Sequence, residues 1–193
     1  PGAEPPDVRP RPERAASDPA ADRLAGLTPQ QLAGQRVISS YSGLTPPDSL
    51  LQQISAGETS GVIFITGNIS SESQISSVIA QFVAANKRSP VNAPLLLMTD
   101  QEGGEVRRLP GAPALSEKQI GSSSDPASAA SQAGTGAAQN LAGVGMNTDL
   151  APVLDVYRQA GDFDDQYQRS YSKNPGTCGQ CGQAFIAAMQ QAG

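Results

Sequence analysis

The chain has 193 residues, a formal net charge of -5 and no histidine. That length fits one domain able to bury a sizeable core. An acidic balance argues against nucleic acid as a partner, and no apolar run approaches the roughly 18 residues of a membrane span.

Residues 1–23 are rich in proline and poor in large hydrophobes. Such a stretch cannot bury enough surface to offset the entropy of ordering it, so it reads as a disordered lead or linker. The globular part is expected over residues 24–193. The first residue is Pro1 rather than Met, as after removal of an upstream signal. The expectation is therefore an exported protein, either extracellular or lipid-anchored at the cell surface.

Leu27-Thr28-Pro29-Gln30-Gln31-Leu32 opens a helix, with Thr28 as N-cap and Pro29 in the first helical position. Leu32, Gln35, Arg36 and Val37 predict that it runs on towards Tyr41. A turn-rich stretch follows, then a short helix from Asp48 to Ile54. Residues 61–66 form a continuous apolar run, as in a strand buried on both faces. Ile75, Val78, Ile79, Phe82 and Val83 recur at three and four within residues 71–86, which predicts an amphipathic helix. A second strand is predicted over residues 94–99 and a long Ala- and Gln-rich helix over 125–141. A third strand follows over 146–150, and a last helix over 176–191 carries Phe185, Ile186 and Met189 on one face. Alternation of this kind implies parallel strands joined by crossover helices. A doubly wound sheet and an eight-stranded barrel both fit, and both place function at the C-terminal ends of the strands.

Three stretches carry chemistry. Asp100-Gln101-Glu102-Gly103-Gly104-Glu105-Val106-Arg107-Arg108 follows the second strand. It brings carboxylates, a sharp glycine turn and an arginine pair to one rim. That combination suits a hydroxyl-rich ligand bound by charge-assisted hydrogen bonds, and it equally describes a solvated charged turn. Asp149 and Asp155, near the end of the third strand, fit either site support or loop capping. Asp162, Asp164 and Asp165 lack calcium-loop spacing and read as a solvated face. Beside them stands Arg169, flanked by Tyr167 and Tyr171, and aromatics beside an arginine suit the framing of a sugar. Cys178 and Cys181 are too few for a structural zinc site. Their C-x-x-C spacing leaves open a local disulfide or a pair of free thiols on the last helix.

The run from Leu96 to Gly104, the run from Met146 to Val156, Arg169-Ser170-Tyr171 and the run from Ala184 to Gln190 together resemble the N-terminal domain of glycoside hydrolase family 3. The branch they most resemble is the bacterial β-N-acetylglucosaminidases. The resemblance covers roughly Leu27 to Gly193, with departures at Glu105, where many relatives have arginine, and at Gln168, where an acidic residue often stands. It implies an α/β fold that is the N-terminal part of a (β/α)8 TIM-type barrel, incomplete in this chain. It also implies a retaining β-glycoside hydrolase that removes terminal β-N-acetylglucosamine from cell-wall or chitin-derived saccharides, with no cofactor. The alternatives are a β-glucosidase or β-xylosidase of the same family, or a non-catalytic sugar-binding relative. Carried over residue by residue, Asp100, Arg108 and Arg169 resemble the family's contacts to the sugar. The family's Lys-His pair and its nucleophilic aspartate would lie beyond Gly193, so no catalytic residue is assigned here. The partners implied are a small saccharide and the remainder of the same barrel from a longer chain.

Overall fold

The computed structural model describes residues 24–192; the disorder expected of residues 1–23 lies outside them. The first helix, α1 (Pro29–Gly34), starts as its sequence dictates. Thr28 caps the amide of Gln31, and the Gln31 side chain returns to the Thr28 amide at 3.0 Å. It does not run to Tyr41. A Cβ on Gly34 would lie 2.5 Å from the Cα of Glu58, so this glycine marks a backbone crossing. The β-branched pair Val37-Ile38 then leads into a short strand, β1 (Ile38–Ser39), which the helical reading missed.

Helix α2 (Asp48–Ala56) ends on Gly57 in the left-handed conformation. Strand β2 (Gly61–Ile63) leads through a 3-10 turn (Thr66–Asn68) into α3 (Glu72–Asn86), capped by Ser71. Strand β3 (Leu96–Thr99) follows. Next come a two-stranded hairpin, β4 (Gln101–Gly103) and β5 (Val106–Arg107), and a single turn of helix, α4 (Glu117–Gly121). The long α5 (Pro126–Val144) precedes β6 (Thr148–Asp149), a short α6 (Phe163–Gln166) and α7 (Pro175–Ala192).

β1, β2, β3 and β6 lie side by side in that order, all parallel. This is the alternating α/β architecture, an incomplete barrel with four of its parallel strands among the described residues. The strands are shorter than the apolar runs that predict them, because the flanking residues join the sheet by single bonds, such as the Phe64 amide to the Met98 carbonyl at 2.8 Å. Asn147 ties the third and fourth strands together. Its side chain accepts from the Leu97 amide and donates to the Leu95 carbonyl.

Two apolar clusters hold the layers. Val62 and Phe64 on one side meet Ile75, Ile79 and Phe82 of α3, and Tyr41, Phe64 and Phe82 pack with ring centroids about 6 Å apart. The other cluster seals α5 against α7. Ala130, Ala133 and Ala137 face Cys178, Cys181 and Phe185. The approach is closest at Gly134, where a Cβ would lie 2.2 Å from the Phe185 carbonyl oxygen.

Candidate functional site

The sheet delivers its C-terminal ends to one rim, and the hairpin after β3 builds the rim's floor. Asp100 sits between β3 and β4. The hairpin brings the chain back so that the Arg108 amide donates to the Asp100 carbonyl at 3.2 Å. The Arg108 side chain then reaches the Asp100 carboxylate, with Nε and Nη2 at 3.2 and 3.0 Å from Oδ2. Both side chains stay about one quarter exposed, so the pair is open to solvent and to a ligand.

The buried Gln101 holds this return in place. Its Oε1 accepts from the amides of Arg108 and Leu109, and its Nε2 donates to the carbonyls of Leu109 and Ala112. All its hydrogen-bonding capacity goes into backbone, which is why a polar side chain is tolerated in full burial. The turn requires its glycines. Gly103 and Gly104 both have positive φ, and a Cβ on Gly103 would lie 2.2 Å from the Leu115 carbonyl oxygen.

Arg169 reaches the same rim from the loop after β6. Its Nε and Nη2 donate to the two carboxylate oxygens of Glu102 at 2.8 and 2.6 Å. Glu102 is almost fully buried, while Arg169 remains partly exposed. The guanidinium has five donors, so further N–H groups are not engaged by this carboxylate. Sequence reading groups Glu102 with Asp100 as a rim carboxylate and gives it no role. Strand alternation, which turns residues 100 and 102 to one side, is the signal for it.

Asp149 closes the site from the end of β6. Its Oδ1 accepts from the Gln101 amide at 2.9 Å, and Oδ2 is buried without a partner. Burial pushes its pKa up to about 6, with the charges of Asp100 and Glu102 adding and the amides of Gln101 and Leu150 opposing. These bonds go to backbone amides, so both roles open to Asp149, site support and loop ordering, fit this geometry. Asp155, by contrast, is exposed and contributes its backbone carbonyl, to which Ser170 donates at 2.6 Å.

Other expectations need correction. Tyr171 does not frame the rim. It is 2 % exposed and packs with Ile120, Cys178 and Phe185. The exposed Tyr167 packs instead on Phe163, with ring centroids 5.1 Å apart. The aspartate group is not a solvated face, since Asp165 is buried, accepts from the Gly161 amide and pairs with Lys118. Asp162 accepts from the amides of Arg158 and Gln159 and so shapes the loop. Cys178 and Cys181 are free thiols, buried on α7, so of the two readings left open the structure holds the thiols. Among the described residues no group of three or more carboxylate or thiol side chains is placed to hold a metal ion.

Residues 31–193 match the glycosyl hydrolase family 3 N terminal domain. The chain belongs to glycoside hydrolase family 3. An uncharacterized secreted glycosyl hydrolase of Arthroderma benhamiae is 45% identical over 163 residues, covering 83% of this chain and 46% of that protein. A β-hexosaminidase of Haemophilus influenzae is 32% identical over 140 residues, covering 69% and 37%. Among solved structures, a family 3 β-N-acetylglucosaminidase from Paenibacillus superposes with a TM-score of 0.77 at 27% identity, covering 86% of this chain and 31% of that one. This family 3 chain thus spans less than half the length of these relatives. Its parallel sheet is the start of the barrel-like N-terminal domain those glycosidases share.

Proposed function

We propose that the protein is a retaining β-glycoside hydrolase that removes terminal β-N-acetylglucosamine from cell-wall or chitin-derived saccharides, and that this segment supplies its sugar-binding residues. The observation that carries the reading is the shared rim of Asp100–Arg108 and Glu102–Arg169, set at strand ends within a family 3 domain. The β-hexosaminidase relatives support the choice of sugar.

Each residue has a part in this reading. Asp100 accepts hydrogen bonds from sugar hydroxyls, and Arg108 keeps that carboxylate aimed. Arg169, oriented by Glu102, donates to an oxygen of the same sugar. Charge-assisted bonds of this kind hold the ring rigidly while the bond to the leaving group breaks. Retention requires a nucleophile and an acid/base about 5 Å apart across that bond. The family resemblance assigns neither to a residue of this segment. Export is part of the reading, supported by the opening Pro-rich stretch and by the secreted fungal relative.

The test is release of 4-nitrophenol by the intact natural protein from its N-acetyl-β-glucosaminide, β-glucoside and β-xyloside. Preference for the first is expected. Preference for either other sugar would move the protein to a different specificity within the family, and no turnover on any of them would leave a sugar-binding relative without hydrolysis.

A further inference from the structure

The segment that carries Arg169 is fastened at both ends by one turn of helix. Three successive residues at the start of α4 do this. Ser116 donates from Oγ to the Gln168 side chain at 2.9 Å. Glu117 accepts through Oε1 from the Val153 amide at 2.7 Å. The Lys118 amide donates to the Gln168 carbonyl at 3.2 Å, and the Lys118 ammonium pairs with Asp165. Gln168 has a φ of 55°, a left-handed conformation that few residues other than glycine adopt without outside support. The next residue is Arg169.

Glu117 is the deepest of the three, at 1 % exposure, and its Oε2 has no hydrogen-bond partner. The charged groups whose fields reach it are Glu102 on β4, Arg169, and Asp164 on α6; Tyr171 and Cys181 lie close enough to sense its own charge. Burial first, then Glu102 and Asp164, push its pKa up to about 9, against the Val153 amide and Arg169. Near neutral pH it is therefore an uncharged acid, and among the described residues Glu102 is the carboxylate that chelates Arg169.

We propose that Glu117 is a positioning residue for Arg169: it anchors, through Val153, the start of the loop whose end carries the sugar-facing guanidinium. This rests on the reading of Arg169 as a sugar contact. Ionising Glu117 would strengthen its bond to the Val153 amide but place an unpaired charge beside Glu102 that competes for Arg169, so sugar affinity should fall as pH passes through its pKa.

The intact natural protein is compared with Glu117→Gln, Glu117→Ala and Arg169→Lys on 4-nitrophenyl N-acetyl-β-glucosaminide from about pH 6 to about pH 10. Glu117→Gln keeps a neutral acceptor for Val153. It should retain KM within about twofold and lose the alkaline fall in kcat/KM that the parent shows near pH 9. Glu117→Ala should raise KM roughly tenfold, a displacement of the arginine by less than 1 Å being sufficient. The same alkaline fall in Glu117→Gln as in the parent would overturn the proposal, as would an unchanged KM in Glu117→Ala. If Glu117→Ala does not fold, the glutamine variant's pH profile decides alone. An unchanged KM in Arg169→Lys would instead overturn the sugar-contact reading, and the proposal with it.

Discussion

Glu102 holds Arg169 with both carboxylate oxygens, at 2.6 and 2.8 Å, across 67 positions of sequence. The pair joins the hairpin after β3 to the loop after β6, two elements with no strand pairing between them. A planar guanidinium facing a carboxylate edge fixes direction as well as distance. The rim's second arginine is thereby aimed by a residue that water barely reaches.

Removing the carboxylate from this pair should harm both stability and binding. Glu102→Ala leaves a guanidinium without its buried partner, a change that costs about 3 kcal/mol, at the low end of the range because Arg169 is partly exposed. Glu102→Gln should cost less, since it retains one acceptor. Thermal melting of the two variants checks the order. Equal melting temperatures for Glu102→Ala and the parent would mean that the ion pair contributes nothing in solution.

Asp100 gives the opposite pattern. Its side chain is open to solvent, paired with Arg108 and outside the apolar clusters, so Asp100→Asn should leave the melting temperature nearly unchanged. It should weaken binding of an N-acetylglucosamine-based inhibitor by roughly 10- to 100-fold, because a hydrogen bond to a charged acceptor contributes about 1.5–3 kcal/mol. Calorimetric titration of parent and variant measures this. Affinity within a factor of two would remove Asp100 from the site.

Glu117 and the half-buried Asp149 set a pH dependence whose sign is opposite to that of a salt-bridged carboxylate. Asp149 is raised from 3.8 to about 6 and Glu117 from 4.5 to about 9. Between the unfolded and folded values the native state binds the extra proton. Each stabilising contribution is therefore complete below the unfolded pKa and is lost as pH rises through that window, at up to about 1.4 kcal/mol per pH unit. Asp149→Asn should flatten the melting temperature between about pH 4 and pH 6, and Glu117→Gln between about pH 5 and pH 9. Parallel curves for parent and variants would show that neither group is shifted in this direction.

Much of this arrangement was legible in the sequence, and what was missed has a physical cause. Helix α3 announces itself through Ile75, Val78, Ile79 and Phe82, and β3 through its unbroken apolar run, because burial writes a period into the chain. Strand β1 has two paired residues and one neighbour strand, too short a stretch for a period to show. The site was read differently. The expectation for Asp100, Arg108 and Arg169 rests on family-like motifs, and the structure brings Arg169 to the hairpin through Glu102. Tyr171 was misplaced because lying two positions from Arg169 in an irregular segment does not fix where its side chain points, and here it enters the α5–α7 core. Glu117 carries no signal, since between a capping Ser116 and Gln119 it looks like any first-turn acid; only the folded chain shows it to be buried.

The contact between α5 and α7 supplies the clearest packing test, with two glycines that look alike in sequence. Gly134 faces Phe185, and an added methyl would lie 2.2 Å from that residue's carbonyl oxygen. Backbone cannot move aside as a flexible side chain can, so Gly134→Ala must push the helices apart and is expected to destabilise by about 1–3 kcal/mol. Gly179, within α7, has nothing within 4 Å of the same position. There the methyl meets no neighbour and the helix gains alanine's lower conformational cost, so Gly179→Ala should stabilise by about 0.5–1 kcal/mol. Melting curves of the two variants should move in opposite directions. If Gly134→Ala melts with or above the parent, α7 does not sit on α5 as closely as described, and the buried setting of Cys178, Cys181 and Tyr171 between the two helices would have to be redrawn.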